Sequence, residues 1–189
     1  MKRIFINLYL MSSMAFSIHI TAQTISLIER DGVTYKVNST TPYTGIRKVY
    51  HDNGQLMIEE NFARGKQEGA FKKFHKNGLI HEKGNLQNGK KEGKFEIYYT
   101  DGILSEIVYY KSGIKNGIFE GYWGNGKIAK KGTYKNGLIT GSYETYDISG
   151  KMIMKKGYEN GEIVSCRKVG KKKSFISNLN SSFTKLGQC

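Results

Sequence analysis

The chain has 189 residues and a formal net charge of +14, from 30 Lys and Arg against 16 Asp and Glu. This length allows one domain or one short repeat array and excludes a large multidomain enzyme. With 38% hydrophobic and 12% aromatic residues the chain is too apolar for a disordered tail, and 23 Gly against a single Pro exclude a proline-rich linker or a collagen. The positive charge permits an anionic partner but does not choose between nucleic acid, a membrane surface and an acidic protein.

Residues 1–22 have the form of a secretory signal peptide. Lys2 and Arg3 precede a mostly apolar run, and Ala22 ends the segment as the small residue of a cleavage site. A transmembrane anchor is the alternative, but polar residues interrupt the apolar run, so cleavage after Ala22 is favoured. No Cys stands at the junction, which argues against a lipid anchor. We therefore expect an exported protein, in the periplasm, on the outer surface or secreted.

Glycines recur with a period of 24 residues from residue 45 to residue 161. Residues 23–44 precede this region as a lead-in, which we expect to cap it. The three interleaved series are Gly45, Gly69, Gly93, Gly117, Gly141; Gly54, Gly78, Gly102, Gly126, Gly150; and Gly65, Gly89, Gly113, Gly137, Gly161. A fixed period without insertion or deletion is typical of a repeat array. The sequence therefore predicts five 24-residue repeats over residues 45–161.

Two of the three glycine series lie in turn dipeptides, such as Asn77-Gly78 and Asn88-Gly89. Asn-Gly suits a two-residue type I′ hairpin loop, and the segments between the turns have the lengths of strands. Each repeat is then one β-hairpin. The predicted fold is all-β, an elongated antiparallel up-and-down array of β-hairpins with ten strands.

The predicted loop at Asn77-Gly78 also fixes cross-strand neighbours. It sets Phe74 opposite His81 and Phe71 opposite Gly84, and the same arithmetic sets Phe119 opposite Gly132. An aromatic ring that covers a strand glycine restores the contact area that the glycine lacks.

Aromatic residues repeat with the same period. One column comprises Phe71, Phe95, Phe119 and Tyr143, and another comprises Tyr50, Phe74, Tyr98, Tyr122 and Tyr146. The two columns are three residues apart on one strand, so they point to opposite faces. Both columns pack as ladders that replace a globular core, or one of them forms an exposed aromatic strip that binds a partner. The candidate partner-binding residues are Tyr50, Phe74, Tyr98, Tyr122, Tyr146 and Trp123.

The segments GAFKKFHKNGLIHEKGNLQNGKKEG and GIFEGYWGNGKIAKKGTYKNGLITG combine spaced aromatics, Asn-Gly turns and the periodic glycines. This repeat resembles the MORN-variant repeat of the YwqK-type toxin–antitoxin antitoxin family, from residue 30 to about residue 161. The lead-in RDGVTYKVNSTTPYTG also looks like the entry segment of exported members. The resemblance implies a β-hairpin array used as an interaction surface, an antitoxin role and, from related eukaryotic MORN repeats, attachment to membranes or phosphoinositides. An exported chain departs from these roles, because it cannot readily neutralise a toxin in its own cytoplasm, and phosphoinositides are not expected at a bacterial envelope.

The histidines of the repeats do not have the spacing of a metal site. His51 and His75 share one repeat position, two strands or about 10 Å apart, which is too far to hold one metal ion between them. His75 and His81 are predicted to project to opposite faces. No metal, cofactor or catalytic residue is therefore assigned.

The acidic residues of the repeats have predicted cationic partners. Lys73 is expected to face Glu82, and Arg47 to face Glu60, so cross-strand ion pairs explain them without catalysis. The sequence contains no nucleophile elbow, zinc-protease motif or P-loop. We expect a protein that is not an enzyme; a hydrolase built on a β scaffold is the alternative and would need clustered carboxylates or histidines in a cleft.

Residues 162–189 form a basic tail in which Lys171, Lys172 and Lys173 are candidate residues for an anionic surface. The apolar residues after them recur at helical spacing and predict a short C-terminal helix from Ser174 to Gly187. This helix covers the open edge of the last hairpin, or it lies on an anionic membrane.

Two cysteines lie in the same tail. Export favours a disulfide between Cys166 and Cys189, because bridges persist outside the reducing cytosol.

The sequence therefore predicts an exported binding module whose partner is another protein of the cell envelope. The alternative partner is an anionic membrane or polyanionic surface, bound through the basic tail. Nucleic acid is not expected, since no base-reading motif is present. The sequence leaves the oligomeric state open.

Overall fold

A computed structural model describes residues 26–169 of the chain. This part of the chain consists of strands and turns. The strands are β1 (Leu27–Arg30), β2 (Val33–Lys36), β3 (Gly45–Tyr50), β4 (Leu56–Ala63), β5 (Lys66–Phe74), β6 (Ile80–Gln87), β7 (Lys90–Tyr98), β8 (Leu104–Lys111), β9 (Ile114–Tyr122), β10 (Ile128–Lys135), β11 (Leu138–Tyr146), β12 (Met152–Glu159) and β13 (Glu162–Lys168). Within it, no helix has the length and apolar character needed to cross a membrane.

Strands β3 to β13 form one antiparallel sheet of 11 strands in sequence order, and β1 and β2 form a separate two-stranded hairpin. Each strand pairs only with its chain neighbours, which confirms the predicted all-β up-and-down array of hairpins. The sheet has one strand more than predicted, because residues 162–168, expected to begin the basic tail, form β13. The predicted C-terminal helix lies outside the described residues.

The turns that contain the third glycine series, Gly65 to Gly161, have the predicted type I′ form. In Asn88-Gly89 both residues have positive φ, of 50° and 75°, and the flanking residues Gln87 and Lys90 pair directly. A type I′ loop requires this conformation at both central positions. The prediction of two-residue hairpins is therefore confirmed for this edge of the sheet.

The turns at the second glycine series are different, and the prediction of a two-residue loop is wrong there. At Asn77-Gly78 only the glycine has positive φ, 84°. The Gly78 N–H donates to the His75 carbonyl at 2.9 Å, and the His75 N–H donates to the Leu79 carbonyl at 2.8 Å. This is a three-residue loop, a type I turn followed by a left-handed glycine.

A β-bulge follows each three-residue turn and restores the strand register. Phe74 pairs with Ile80 and Lys73 pairs with Glu82, so His81 is the extra residue. The predicted pairing of Phe74 with His81 is therefore wrong. Beyond the bulge, Phe71 pairs with Gly84 as predicted.

The remaining glycine series lies inside strands. The register of β4 and β5 shifts by two residues between the pair Glu60–Phe71 and the pair Phe62–Gln67, with Gly69 in the shifted segment. Gly69 has φ 89°, a conformation that residues with a Cβ atom rarely adopt. The 24-residue period therefore encodes a turn of each type and two register shifts per unit, the bulge after the three-residue turn and the shift at the strand glycine.

The core of the sheet lies on one face, which we call the core face. Leu86, Phe95, Val108 and Phe119 form its buried cluster, and Phe95 has 0% exposure. Phe119 pairs with Gly132, as predicted. Because the sheet is a single layer, each repeat buries apolar surface only against its neighbours.

The N-terminal end of the sheet is closed by the lead-in. Tyr43 is 4% exposed and packs its ring on Phe62, with ring centres 5.6 Å apart. The Thr34 N–H donates to the Gly65 carbonyl at 2.9 Å, and the Gly65 N–H donates to the Tyr43 carbonyl at 2.7 Å. These bonds attach the β1–β2 hairpin to the turn between β4 and β5.

Candidate functional site

The face opposite the core face carries the second aromatic column, and we call it the tyrosine face. Tyr98 and Tyr146 each donate a hydroxyl hydrogen bond at 2.7 Å to a glutamate two residues earlier on the same strand, Glu96 and Glu144. Tyr122 donates in the same way to Glu120. Side chains two residues apart project to one face of a strand. The two columns therefore occupy opposite faces, as predicted.

Lysines complete the network on this face. Glu96 forms ion pairs with Lys83 at 2.7 Å and Lys94 at 2.6 Å. Hydrogen bonds from Lys83, Lys94 and Tyr98 lower the pKa of Glu96 to about 2. The carboxylate is therefore held charged and fully partnered, which suits a structural ladder and not a proton donor.

The same arrangement recurs two repeats later. Glu144 forms ion pairs with Lys155 at 2.8 Å and Lys131 at 3.2 Å, and hydrogen bonds from Lys155 and Tyr146 lower its pKa to about 2. Burial, together with a hydrogen bond to Glu120, raises the pKa of Tyr122 to about 12. Tyr98, Tyr122 and Tyr146 are half-buried, and their hydroxyl groups are hydrogen-bonded within the sheet. Phe74 is also half-buried, while Tyr50 is exposed.

Trp123, the remaining aromatic candidate, lies not on this face but at the edge formed by the three-residue turns. Its indole N–H donates to the Tyr146 carbonyl at 3.2 Å. Side chains at the same repeat position make the same kind of bond: His51 to the Phe74 carbonyl, His75 to the Tyr98 carbonyl and Tyr99 to the Tyr122 carbonyl. Each turn is therefore tied to the turn of the next repeat.

Large exposed apolar side chains line this turn edge, and we call them the apolar edge: Leu79, Tyr99, Ile103, Trp123 and Ile148. Ile148 is the most exposed of them, at 64%. Leu79 lies over the next turn, since a Cβ atom on Gly102 would be 3.6 Å from a Leu79 methyl group. Sequence reasoning singled out only Trp123 of this set. The missed signal was the apolar character of residues directly beside the turn glycines, such as Leu79 and Ile103.

Two predicted ion pairs have different outcomes. Arg47 pairs with Glu60 as predicted, and the Glu60 side chain is only 2% exposed and also accepts from Gln67 at 2.5 Å. Lys73 lies opposite Glu82 as predicted, but the Glu82 carboxylate forms its ion pair with Lys91. Both glutamates are held by cations.

The histidine geometry differs from the prediction. The rings of His75 and His81 lie on the same side, with ring centres 4.5 Å apart and an angle of 37° between their planes. The prediction of opposite faces is wrong because the bulge at His81 changes the alternation of side chains. Among residues 26–169, no group of three or more His, Cys, Asp or Glu side chains is placed to hold a metal ion.

Three predicted site residues and one half of the predicted disulfide lie outside the described residues. These are Lys171, Lys172, Lys173 and Cys189. Cys166 lies in β13, opposite Lys156. The roles of the lysines and the bridge to Cys189 remain predictions.

Comparison with known families finds the MORN repeat variant in three segments, residues 43–63, 91–112 and 115–136. They correspond to the hairpins β3–β4, β7–β8 and β9–β10. The chain thus contains MORN-variant repeats, which indicate a repeat-based binding module. No curated protein sequence matches the chain.

Several solved structures are similar to this chain, including the two that follow. One is a crystal structure of an S. aureus TarM mutant in complex with fondaparinux, alpha-GlcNAc-glycerol and UDP, with 13% identity, a TM-score of 0.33, and 62% of this chain and 21% of that chain covered. The other contains accessory secretory proteins 1, 2 and 3 of Streptococcus pneumoniae, with 14% identity, a TM-score of 0.33, and 67% and 22% covered. This chain spans about a fifth of the length of either one.

Proposed function

We propose that the protein is an exported, non-enzymatic binding module whose partner is another protein of the cell envelope. The apolar edge is its binding surface. The observation that carries this proposal is the row of exposed Leu, Ile, Tyr and Trp side chains along the edge formed by the three-residue turns. The signal-like residues 1–22 support export, and the resemblance to YwqK-type antitoxins supports a protein as the partner class.

The apolar edge has the composition of a protein interface. Tyr and Trp are enriched at such interfaces and supply much of the binding energy when they are desolvated. Successive repeats are two strand spacings apart, about 9.6 Å, so the row from Leu79 to Ile148 extends over roughly 29 Å. That length is enough to contact one protein partner along several repeats.

The tyrosine face is a weaker candidate for the same role. Its carboxylates and hydroxyls bond to one another and to lysines, so a partner would have to replace contacts that already exist. On the apolar edge, Ile103 and Ile148 expose side chains that have no polar group to satisfy. Covering them with a partner removes apolar surface from water without breaking a bond.

The test compares two double variants of the tagged mature chain, residues 23–189. Ile103→Ser with Ile148→Ser alters the apolar edge, whereas Ile114→Ser with Leu138→Ser alters exposed apolar residues at the opposite edge. Each protein is used to capture partners from a fractionated envelope extract at moderate salt. We expect a protein that is retained by the wild type and by the opposite-edge variant, and lost from the apolar-edge variant.

Equal retention by both double variants would contradict the role of the apolar edge. Retention of lipid or polyanion only at low salt would instead indicate recognition by charge, because screening weakens exposed ion pairs. Circular dichroism spectra of all variants control for folding.

A further inference from the structure

The bulge after the second three-residue turn brings two histidines together. His81 is the extra residue between the pairs Phe74–Ile80 and Lys73–Glu82, and its ring centre lies 4.5 Å from that of His75. Both side chains are half-buried, so solvent and small ions reach them. The pair lies at the turn edge, and the charged side chains that act on His81 are Lys73, Glu82 and Lys91.

The hydrogen bond of His75 fixes which of its nitrogens carries a proton. Nε2 lies 3.0 Å from the Tyr98 carbonyl oxygen. A carbonyl oxygen only accepts, so Nε2 is protonated and, in the neutral ring, Nδ1 keeps its lone pair. A metal-bound histidine almost always donates its other ring N–H to a carbonyl, a carboxylate or water, and His75 is held in this way before any metal binds.

His81 is free to supply the second nitrogen. None of the hydrogen bonds within residues 26–169 involves its ring. The torsion that turns a histidine ring is broad, so the ring can rotate toward a shared ligand.

We propose that His75 and His81 form a two-histidine site for one divalent late first-row metal ion, with Cu²⁺ bound most tightly. His75 supplies Nδ1, His81 supplies one ring nitrogen, and water completes the coordination. Metal–nitrogen bonds are about 2.0 to 2.1 Å long, which with the size of an imidazole places two adjacent ligand rings roughly 4.5 to 5 Å apart. The observed separation fits this arrangement, and imidazole suits Cu²⁺, Ni²⁺ and Zn²⁺, with Cu²⁺ at the top of the affinity order.

The neighbouring repeat supplies a matched control. His51 occupies the position of His75 and bonds to the Phe74 carbonyl at 3.1 Å. The bulged residue of that repeat is Met57, since Val49 pairs with Ile58 and Tyr50 with Leu56. His51 therefore has the same backbone bond without a second imidazole, and replacing it tests the loss of one histidine without loss of the pair.

The experiment is a calorimetric titration of Cu²⁺ into the mature chain, residues 23–189, carrying a tag without histidines. The variants are His81→Gln, His75→Gln and His51→Gln. We expect one Cu²⁺ per chain for the wild type and for His51→Gln, and at least about a tenfold loss of affinity in His81→Gln and His75→Gln. NMR spectra at substoichiometric Cu²⁺ provide a second readout, in which the imidazole signals of His75 and His81 broaden before that of His51.

His81→Gln is the decisive variant, because within residues 26–169 the His81 side chain makes no hydrogen bond whose loss would disturb the turn. Unchanged Cu²⁺ affinity in His81→Gln would overturn the proposal, as would equal loss in His51→Gln or the absence of binding to the wild type. Equal melting temperatures of wild type and His81→Gln without metal show that the fold is intact.

Discussion

At the scale of single residues, the sheet depends on the contact between a strand glycine and an aromatic ring on a neighbouring strand. A Cβ atom on Gly84 would lie 2.7 Å from three ring atoms of Phe95, which is the most completely buried ring of the core. A Cβ atom on Gly132 would likewise lie 2.8 and 2.9 Å from two ring atoms of Phe119, on the preceding strand. These glycines are required for space and not for backbone conformation.

We therefore expect Gly84→Ala to lower the free energy of unfolding by about 1 to 3 kcal/mol, the usual cost of overpacking a core. Gly124→Ala is the matched control, because a Cβ atom there meets nothing within 4 Å and its φ is not positive. Its free energy of unfolding should change by less than about 1 kcal/mol. Urea unfolding measures both. If the cost of Gly84→Ala is the same in a Phe95→Leu background, the explanation by ring contact is wrong.

At the scale of elements, the tyrosine face couples neighbouring strands through charge. Glu144 on β11 is held between Lys131 of β10 and Lys155 of β12, and Glu59 of β4 is held between Lys48 of β3 and Lys72 of β5. The glutamates that bridge three strands are charged at neutral pH. Because hydrogen bonds from cations lower the pKa of Glu144 to about 2, its contribution to stability depends on pH.

The sign of this dependence follows from the direction of the shift. The pKa of Glu144 falls from 4.5 to about 2 on folding, so its stabilisation is complete above pH 4.5 and is lost as pH falls toward 2. Between pH 4.5 and pH 2.5, the unfolding free energy of the wild type should fall with pH. We expect the unfolding free energy of Glu144→Gln to fall by about 1 to 2 kcal/mol less over the same range. Urea unfolding at pH 7, 4.5 and 2.5 measures this.

Glu159→Gln serves as the control, since Glu159 is exposed and outside the ion pairs of the described residues. It should keep the pH dependence of the wild type. The same loss of stability in Glu144→Gln as in the wild type below pH 4.5 would show that the lysines do not hold this carboxylate in solution.

The turns show how far the sequence determines the elements. The strands, their order and the pair Phe71–Gly84 could be predicted, because the period and the turn dipeptides fix them. The three-residue loop at Asn77-Gly78 could not, because Asn-Gly suits both loop types and the choice depends on the register of the whole hairpin. The extra loop residue and the bulge at His81 compensate each other, so distant pairs were predicted correctly through an incorrect turn.

The bulge also explains why the position of the His81 ring was predicted incorrectly. A one-residue bulge leaves the strand order unchanged but moves the His81 ring to the side of His75, which no alternation rule anticipates. The apolar edge was missed for a related reason. Exposure of Leu79 and Ile103 depends on the turn geometry, whereas the aromatic columns that were predicted depend only on position within a strand.

At the scale of the whole molecule, the sheet is a linear array in which each strand contacts only its neighbours. Stability in such arrays is close to a sum of unit terms and interface terms, so a complete unit can be removed. Residues 90–113, one 24-residue period, contain β7 and β8. Their deletion joins Gly89 directly to Ile114, and Gly84 then faces Phe119 in place of Phe95, because the two phenylalanines share one repeat position.

We expect this deletion to give a folded, monodisperse sheet of nine strands whose urea m-value is lower by roughly a fifth, since m scales with the surface exposed on unfolding. Deletion of residues 90–101 removes only β7 and leaves β6 followed by β8, which run in the same direction and cannot form a hairpin. That shorter deletion should abolish cooperative unfolding, although it removes half as many residues. Circular dichroism, size-exclusion chromatography and urea unfolding separate the two outcomes. If the two deletion variants are equally stable, the strands do not act as paired units. The stability of the array is then not a sum of contributions from whole repeats.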